Sequence, residues 1–301
     1  MRNIDLDALQ IFKAVADHGG VARAAAHLHR VQSNVSTRLK QLEASLEAPL
    51  FRRQNRRLVL SDQGRVLLGY ADRLLRLSQE AQAAVRSGAP QGVLRIGTME
   101  STAAARLPPI LAGYHADWPQ VRIELVTGTS GALAAKVRNF EIEAAFVAQP
   151  YPGQGLQAQD AFQEELALIS PLAWPGPSGP QDLAERTVIA FAAGCSYRRI
   201  LESWLSQVGV APAKVMEFAS YHAIVACVAA GSGVAVVPRS VLAVLGAQRS
   251  VRATPLAGPH GSALTQLVWR PGDETPALQA LRRQIGELRS GSPRPGSPPT
   301  D

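Results

Sequence analysis

Leu6, Leu9, Ile11, Phe12 and Val15 recur at spacings of three and four, and the run stops at His18-Gly19-Gly20. That pattern predicts a helix with one buried face and a glycine stop. A second helix is expected from about Val21 to Leu28 and a third from about Gln32 to Leu46. In the third, Val35, Leu39 and Leu42 point inward, while Gln32, Ser33, Asn34, Ser36, Thr37, Arg38 and Lys40 point out. A helix that enters a DNA major groove needs this division: donors and acceptors for base edges, cations for phosphates, and apolar residues behind. Leu58 and Leu60 then alternate with Arg57, Val59 and Ser61 ahead of Gly64, as in a short strand of a basic hairpin. Three helices and a basic hairpin make a winged helix-turn-helix, expected over residues 1–64.

From Gln63 to about Arg86 the period is again helical, with Val66, Leu67, Tyr70, Leu74, Leu77, Ala81 and Ala84 on one stripe. Nothing nearby in sequence covers that stripe, which predicts a dimerisation helix over 65–87. Ser87-Gly88-Ala89-Pro90-Gln91-Gly92 is a breaker cluster, so a hinge is expected at 88–92. Short apolar runs follow, separated by helical segments. Strands are expected at Val93–Gly97, Val121–Val126, Ala144–Ala148, Leu166–Ser170, Val188–Phe191, Gly233–Val237 and Thr265–Trp269, and helices at 102–116, 130–139, 196–208, 220–230 and 275–289. This alternation implies an α/β domain on a parallel sheet with right-handed crossovers. The tail, residues 290–301, is low-complexity Ser, Pro and Gly and is expected to be disordered.

Charge sharpens the division. Residues 1–87 hold 14 Lys/Arg against 8 Asp/Glu, and residues 88–301 hold 17 against 16, so +6 of the net +7 lies in the first segment. A basic module on a near-neutral remainder suits nucleic-acid binding. Two cysteines, Cys195 and Cys227, exclude a disulfide framework and point to a reducing compartment. The N-terminus lacks an apolar signal segment, and no run approaches the roughly 18 apolar residues of a membrane span. A cytoplasmic protein with no membrane partner is expected.

The residues Ala24-Ala25, Leu28, Gln32-Ser33, Val35-Ser36, Leu39, Leu42-Glu43, Leu50-Phe51, Arg53, Leu60-Ser61 and Gly64 stand in a register that resembles the LysR-type transcriptional regulators. The resemblance covers nearly the whole chain. It implies a second half like a periplasmic binding protein: two lobes with a cleft between them, over 93–289, lobe I at about 93–161 and 266–289 and lobe II at about 162–265. It also implies a homodimer or homotetramer, a bacterial source and contact with RNA polymerase. The chain departs from the family at Gly20 and Val31, where Ser or Thr usually caps a helix, at Glu47, where Gly is frequent, and at Thr37, where Arg is frequent. Val31 as a cap costs roughly 1 kcal/mol unless Ser33 or Asn34 substitutes. Glu47 implies either a left-handed residue or a longer helix.

Two sites follow. For double-stranded DNA, Gln32 and Asn34 suit bidentate adenine contacts, Arg38 guanine or phosphate, and Ser33, Ser36 and Thr37 base or backbone. The hairpin offers Arg52, Arg53, Arg56 and Arg57 to phosphates or the minor groove. For a small-molecule effector, ligands of wound sheets sit beyond strand ends and against helix N-termini. The turns holding Glu100, Ser101 and Thr102, then Thr129, then Ser196 and Tyr197 occupy such positions, and Ser220-Tyr221-His222 opens a further helix. Their hydroxyls and N–H groups suit a small carboxylate or an amino-acid-like metabolite, and Glu100 and His222 would add recognition of an amine. His27 and His29, two residues apart, diverge on a helix and make no metal pair. A redox pair of Cys195 and Cys227 stays open, and no phosphate loop, metal motif or nucleophile elbow is present, so no cofactor is expected. The regulator reading competes with a solute-binding protein or enzyme carrying an appended helical domain.

Overall fold

The computed structural model describes residues 4–54, 57–86, 89–256 and 258–290. The chain divides into two compact units, Met1–Gly88 and Ala89–Asp301. The low-complexity segment beyond Ser290 lies outside the described residues.

The first unit contains α1 (Leu6–His18), α2 (Val21–His27), α3 (Gln32–Leu46), β1 (Phe51–Gln54), β2 (Arg57–Leu60) and α4 (Asp62–Arg86). Asp5 caps α1 by accepting the Ala8 amide at 2.6 Å, and Gly19 closes it in the left-handed region at φ 64°. Phe12, Val15, Ala24 and Val35 are fully buried, so the three helices share one core. β1 and β2 pair antiparallel, Phe51 opposite Leu60.

α4 has two apolar faces. Leu67, Leu68, Ala71 and Leu75 pack on the helical core, and Lys13 of α1 reaches Asp72 at 2.7 Å. Val66, Tyr70, Leu74 and Leu77 stay exposed, at 64, 54, 42 and 60%. Leu67 thus leaves the stripe expected from the sequence. One turn of a helix presents residues three and four apart on neighbouring but distinct directions, and α1 takes one of them.

The second unit contains β3 (Gly92–Thr98), α5 (Glu100–Ala105), α6 (Leu107–Asp117), β4 (Val121–Thr127), α7 (Ser130–Arg138), β5 (Ala144–Ala148), β6 (Gln157–Ser170), β7 (Thr187–Ala190), α8 (Ser196–Ser206), β8 (Lys214–Glu217), α9 (Tyr221–Ala229), β9 (Ala235–Pro238), α10 (Arg239–Val244), β10 (Arg252–Pro255), β11 (Ser262–Trp269) and α11 (Pro276–Ser290). The helix expected at 102–116 is two helices, broken at Arg106 ahead of Pro108-Pro109. β8, β10 and α10 are too short for their periodicity to register.

The sheet is mixed rather than parallel. β3 pairs parallel with β4 and β5, whereas β11 runs antiparallel to β5 and β6. β6 is the common strand: residues 157–165 pair with β11, and residues 166–170 pair with β9 and β10. One lobe is built on β3, β4, β5 and β11 and the other on β7 to β10, with the backbone of β6 continuous through both. At the crossing, the nearly buried Glu164 carboxylate accepts from Arg106 at 2.6 and 3.1 Å and from the Ser240 hydroxyl at 2.7 Å.

Candidate functional site

The turn between α2 and α3 runs through His29, which adopts φ 52°. It presents the start of α3 to solvent. Gln32, Ser33, Asn34, Thr37 and Lys40 are exposed, Ser36 and Arg38 half-buried, and Val35 and Leu39 buried beneath. Val31 occupies the cap position with no side-chain hydrogen bond and is 68% exposed. Neither Ser33 nor Asn34 supplies the missing cap. Glu47 takes the left-handed conformation at φ 53°, its amide bonded to the Glu43 carbonyl.

Arg38 is engaged within the unit. It reaches Asp7 at 3.1 Å and Asp5 at 3.7 Å, and Asp7 also holds Arg30 in a bidentate pair at 2.6 and 3.0 Å. The Arg30 guanidinium keeps the Asp7 carboxyl below its ordinary value; slight burial opposes this and Arg38 adds to it. In the hairpin, Arg52 and Arg53 are exposed. The backbone of Arg57 lies in β2, while Arg56 lies outside the described residues.

Several residues that carry the sequence pattern are scaffold. Glu43 accepts the Leu50 and Phe51 amides at 2.8 and 3.3 Å, tying α3 to the hairpin. Ser61 donates to the Pro49 carbonyl at 2.6 Å and accepts the Gly64 amide at 2.9 Å, capping α4. A Cβ at Gly64 would stand 2.1 Å from the Leu50 carbonyl oxygen, so this position admits only glycine.

In the second unit a cavity of about 400 Å³ opens between the lobes at the strand ends. Of the residues expected there, Glu100, Ser101, Thr129, Ser196 and Tyr197 line it. Thr102 is buried behind the lining with its hydroxyl unpartnered, and His222 is exposed outside it. Tyr221 of the Ser220-Tyr221-His222 start lines it too, as do Met99 and Cys195 beside the expected turns, whereas Phe191, Glu217 and Phe218 were not expected there. The aromatics fall in short apolar runs that read only as core.

Many of the polar groups expected to face a ligand are engaged internally. Ser196 donates to the Ala148 carbonyl at 2.6 Å, and Ser130 accepts the Ala148 amide at 3.1 Å. Thr129 accepts the Ala132 amide at 3.4 Å, and the Gly131 amide reaches the Gly194 carbonyl across the cleft at 3.3 Å. Both Glu100 oxygens face the Tyr221 amide, at 3.0 and 3.3 Å. Burial pushes the Glu100 carboxyl up, against the Tyr221 hydrogen bond and the nearby His222. Burial likewise raises the Cys195 thiol, against the amides of Arg198 and Tyr197, and keeps the Tyr197 and Tyr221 phenols neutral. No helix among the described residues is long and apolar enough to cross a membrane.

Comparison with known proteins follows the same division. Residues 6–65 match the bacterial regulatory helix-turn-helix family of LysR, and residues 87–289 match the LysR substrate binding domain. The chain is 36% identical to the transcriptional regulator GltR of Bacillus subtilis over 280 residues, 92% of this chain and 95% of that protein. It is 37% identical to CzcR of the same organism over 292 residues, 96 and 99% of the two chains. In fold it is similar to a full-length OxyR variant from Pseudomonas aeruginosa, with TM-score 0.73 and 21% identity over 95% of each chain. It is also similar to CbnR complexed with its target DNA, with TM-score 0.69 and 22% identity over 94 and 99%. The chain belongs to the LysR family of bacterial transcriptional regulators, with a helix-turn-helix unit followed by an effector-binding unit.

Proposed function

We propose that the protein is a cytoplasmic, homo-oligomeric regulator whose α3 reads base edges and whose interlobe cavity takes a small metabolite. The observation that carries this reading is the exposed run Gln32, Ser33, Asn34 and Thr37 over a buried Val35 and Leu39, beside a hairpin with exposed Arg52 and Arg53. The polar residues suit base edges and the arginines suit phosphates. Arg38 is released from Asp7 only if a phosphate competes, so its place is backbone positioning. The exposed Val66, Tyr70, Leu74 and Leu77 stripe supports a second copy as partner, by isologous packing of α4 on α4. Such a dimer presents two copies of α3 to half-sites about one helical turn apart, or a multiple of it. A tetramer of two such dimers follows the family, and effector binding would alter the spacing of the DNA-binding units and so contact with RNA polymerase. The reading assigns the chain no catalytic step.

Selection of genomic fragments by the purified full chain at two salt concentrations tests this. Enrichment of a sequence with dyad symmetry, weakening steeply with salt, is expected. No enriched sequence, or turnover of a bound metabolite, removes the reading in favour of a solute-binding or catalytic protein with an appended helical unit.

A further inference from the structure

The charges and faces of the cavity are unevenly supplied. Among the described residues, no lysine, arginine or histidine is in its lining, whereas Glu100 and Glu217 both are. Glu217 is paired with Arg198, which also pairs with Glu202 and donates to the Phe191 carbonyl. Glu100 makes no ion pair among the described residues, and it accepts from the Tyr221 amide. His222, next to Tyr221 in the chain, is exposed and outside the lining. Meanwhile several donors that could grip an anion are spent: the Ser196 hydroxyl on the Ala148 carbonyl, the Ser130 hydroxyl on the Met99 sulfur, the Ala132 amide on Thr129 and the Gly131 amide on the Gly194 carbonyl. At the start of α9, where a carboxylate ligand would be expected, the chain's own Glu100 already stands.

The remaining lining is apolar and rich in rings. Phe191 and Tyr221 pack with centroids 4.7 Å apart, and Tyr197 and Phe218 complete the set. A carboxylate in a partly buried site is costly unless a cation joins it, and aromatic faces attract cations through their quadrupole. Both features favour one kind of ligand and disfavour its anionic counterpart.

We propose that the cavity takes a small organic cation, a protonated amine on an apolar body, with the amine on the Glu100 carboxylate and the body among Phe191, Tyr197, Phe218 and Tyr221. This rests on the cavity being the effector site of the regulator proposed above. It replaces the carboxylate class expected from the helix starts, because those starts spend several of their donors internally.

Calorimetry on the full-length protein tests it with matched probes: a series of primary amines from propylamine through phenethylamine to tryptamine, with phenethyl alcohol and 3-phenylpropanoate as neutral and anionic counterparts. At least one arylalkylamine should bind, and phenethylamine should bind at least about tenfold tighter than either counterpart. Glu100→Gln keeps an acceptor for the Tyr221 amide and should bring the amine to within about twofold of the alcohol, at unchanged melting temperature. Phe218→Ala should weaken the amine by about fivefold while leaving the Glu100 dependence. Equal or tighter binding of the propanoate, amine binding insensitive to Glu100→Gln, or no binding across the amine series overturns the proposal. Fragment selection on the same preparation separates the two levels: enriched DNA without amine binding removes only the cation, whereas no enriched DNA removes the regulator reading beneath it.

Discussion

Val31 leaves the start of α3 without a side-chain acceptor for its free amides, while remaining 68% exposed and otherwise uncommitted. Val31→Thr is expected to raise unfolding stability by about 1 kcal/mol, read as a shift in the urea midpoint. Glu47→Gly removes a left-handed strain at an exposed position and should add about 1 kcal/mol, less whatever glycine costs in the unfolded chain. Asp7 has a different signature. Its carboxyl is held down chiefly by Arg30, so its stabilisation is present above the unfolded value of about 3.9 and is lost as pH falls through the folded one. Asp7→Asn should therefore lose stability at pH 7 and flatten the acid side of the stability profile, measured by urea unfolding of the full chain between pH 2 and 7. The Cys195 thiol, raised by burial, should react with iodoacetamide at pH 7 more slowly than free cysteine; a faster rate would favour a redox role.

At the scale of elements, the first unit was legible because its periodicities are long and its punctuation is strong. α1, α3 and α4 each extend over three or more turns, with α1 starting at Asp5 and stopping at Gly19 and α4 starting at Ser61. The two apolar faces of α4 were not separable, since Leu67 belongs to the α1 contact and Val66 and Tyr70 to solvent although all share helical spacing. If α4 pairs with a second copy as proposed, Leu77→Glu on the exposed face lowers the mass seen by light scattering, with little change in the circular dichroism of the chain. Gly64→Ala, by contrast, drives a methyl into the Leu50 carbonyl and should cost about 3 kcal/mol. The second unit was less legible. β8 and β10 have four residues each, and β11 reverses the sheet direction that alternation alone implies. Placing hydroxyls at strand ends located the cavity, but which of them turn inward depends on the Ala148 backbone, a partner far away in sequence.

For the molecule as a whole, the two functions meet in a chain whose DNA-reading face and ligand cavity belong to different compact units. Any coupling between them is bounded by the ligand's preference for one arrangement of the lobes over the other. The crossing strand β6 determines how that preference can be stored. Its buried Glu164 is held from one side by Arg106, at the end of α5, and from the other by Ser240 of α10. Glu164 lies in the half of β6 paired with β11 and moves with Arg106, so relative rotation of the lobes acts on the Ser240 hydroxyl, the attachment that crosses between them. The joint is thus latched at one short contact: a ligand that turns one lobe against the other must make good the hydroxyl that a buried carboxylate gives up.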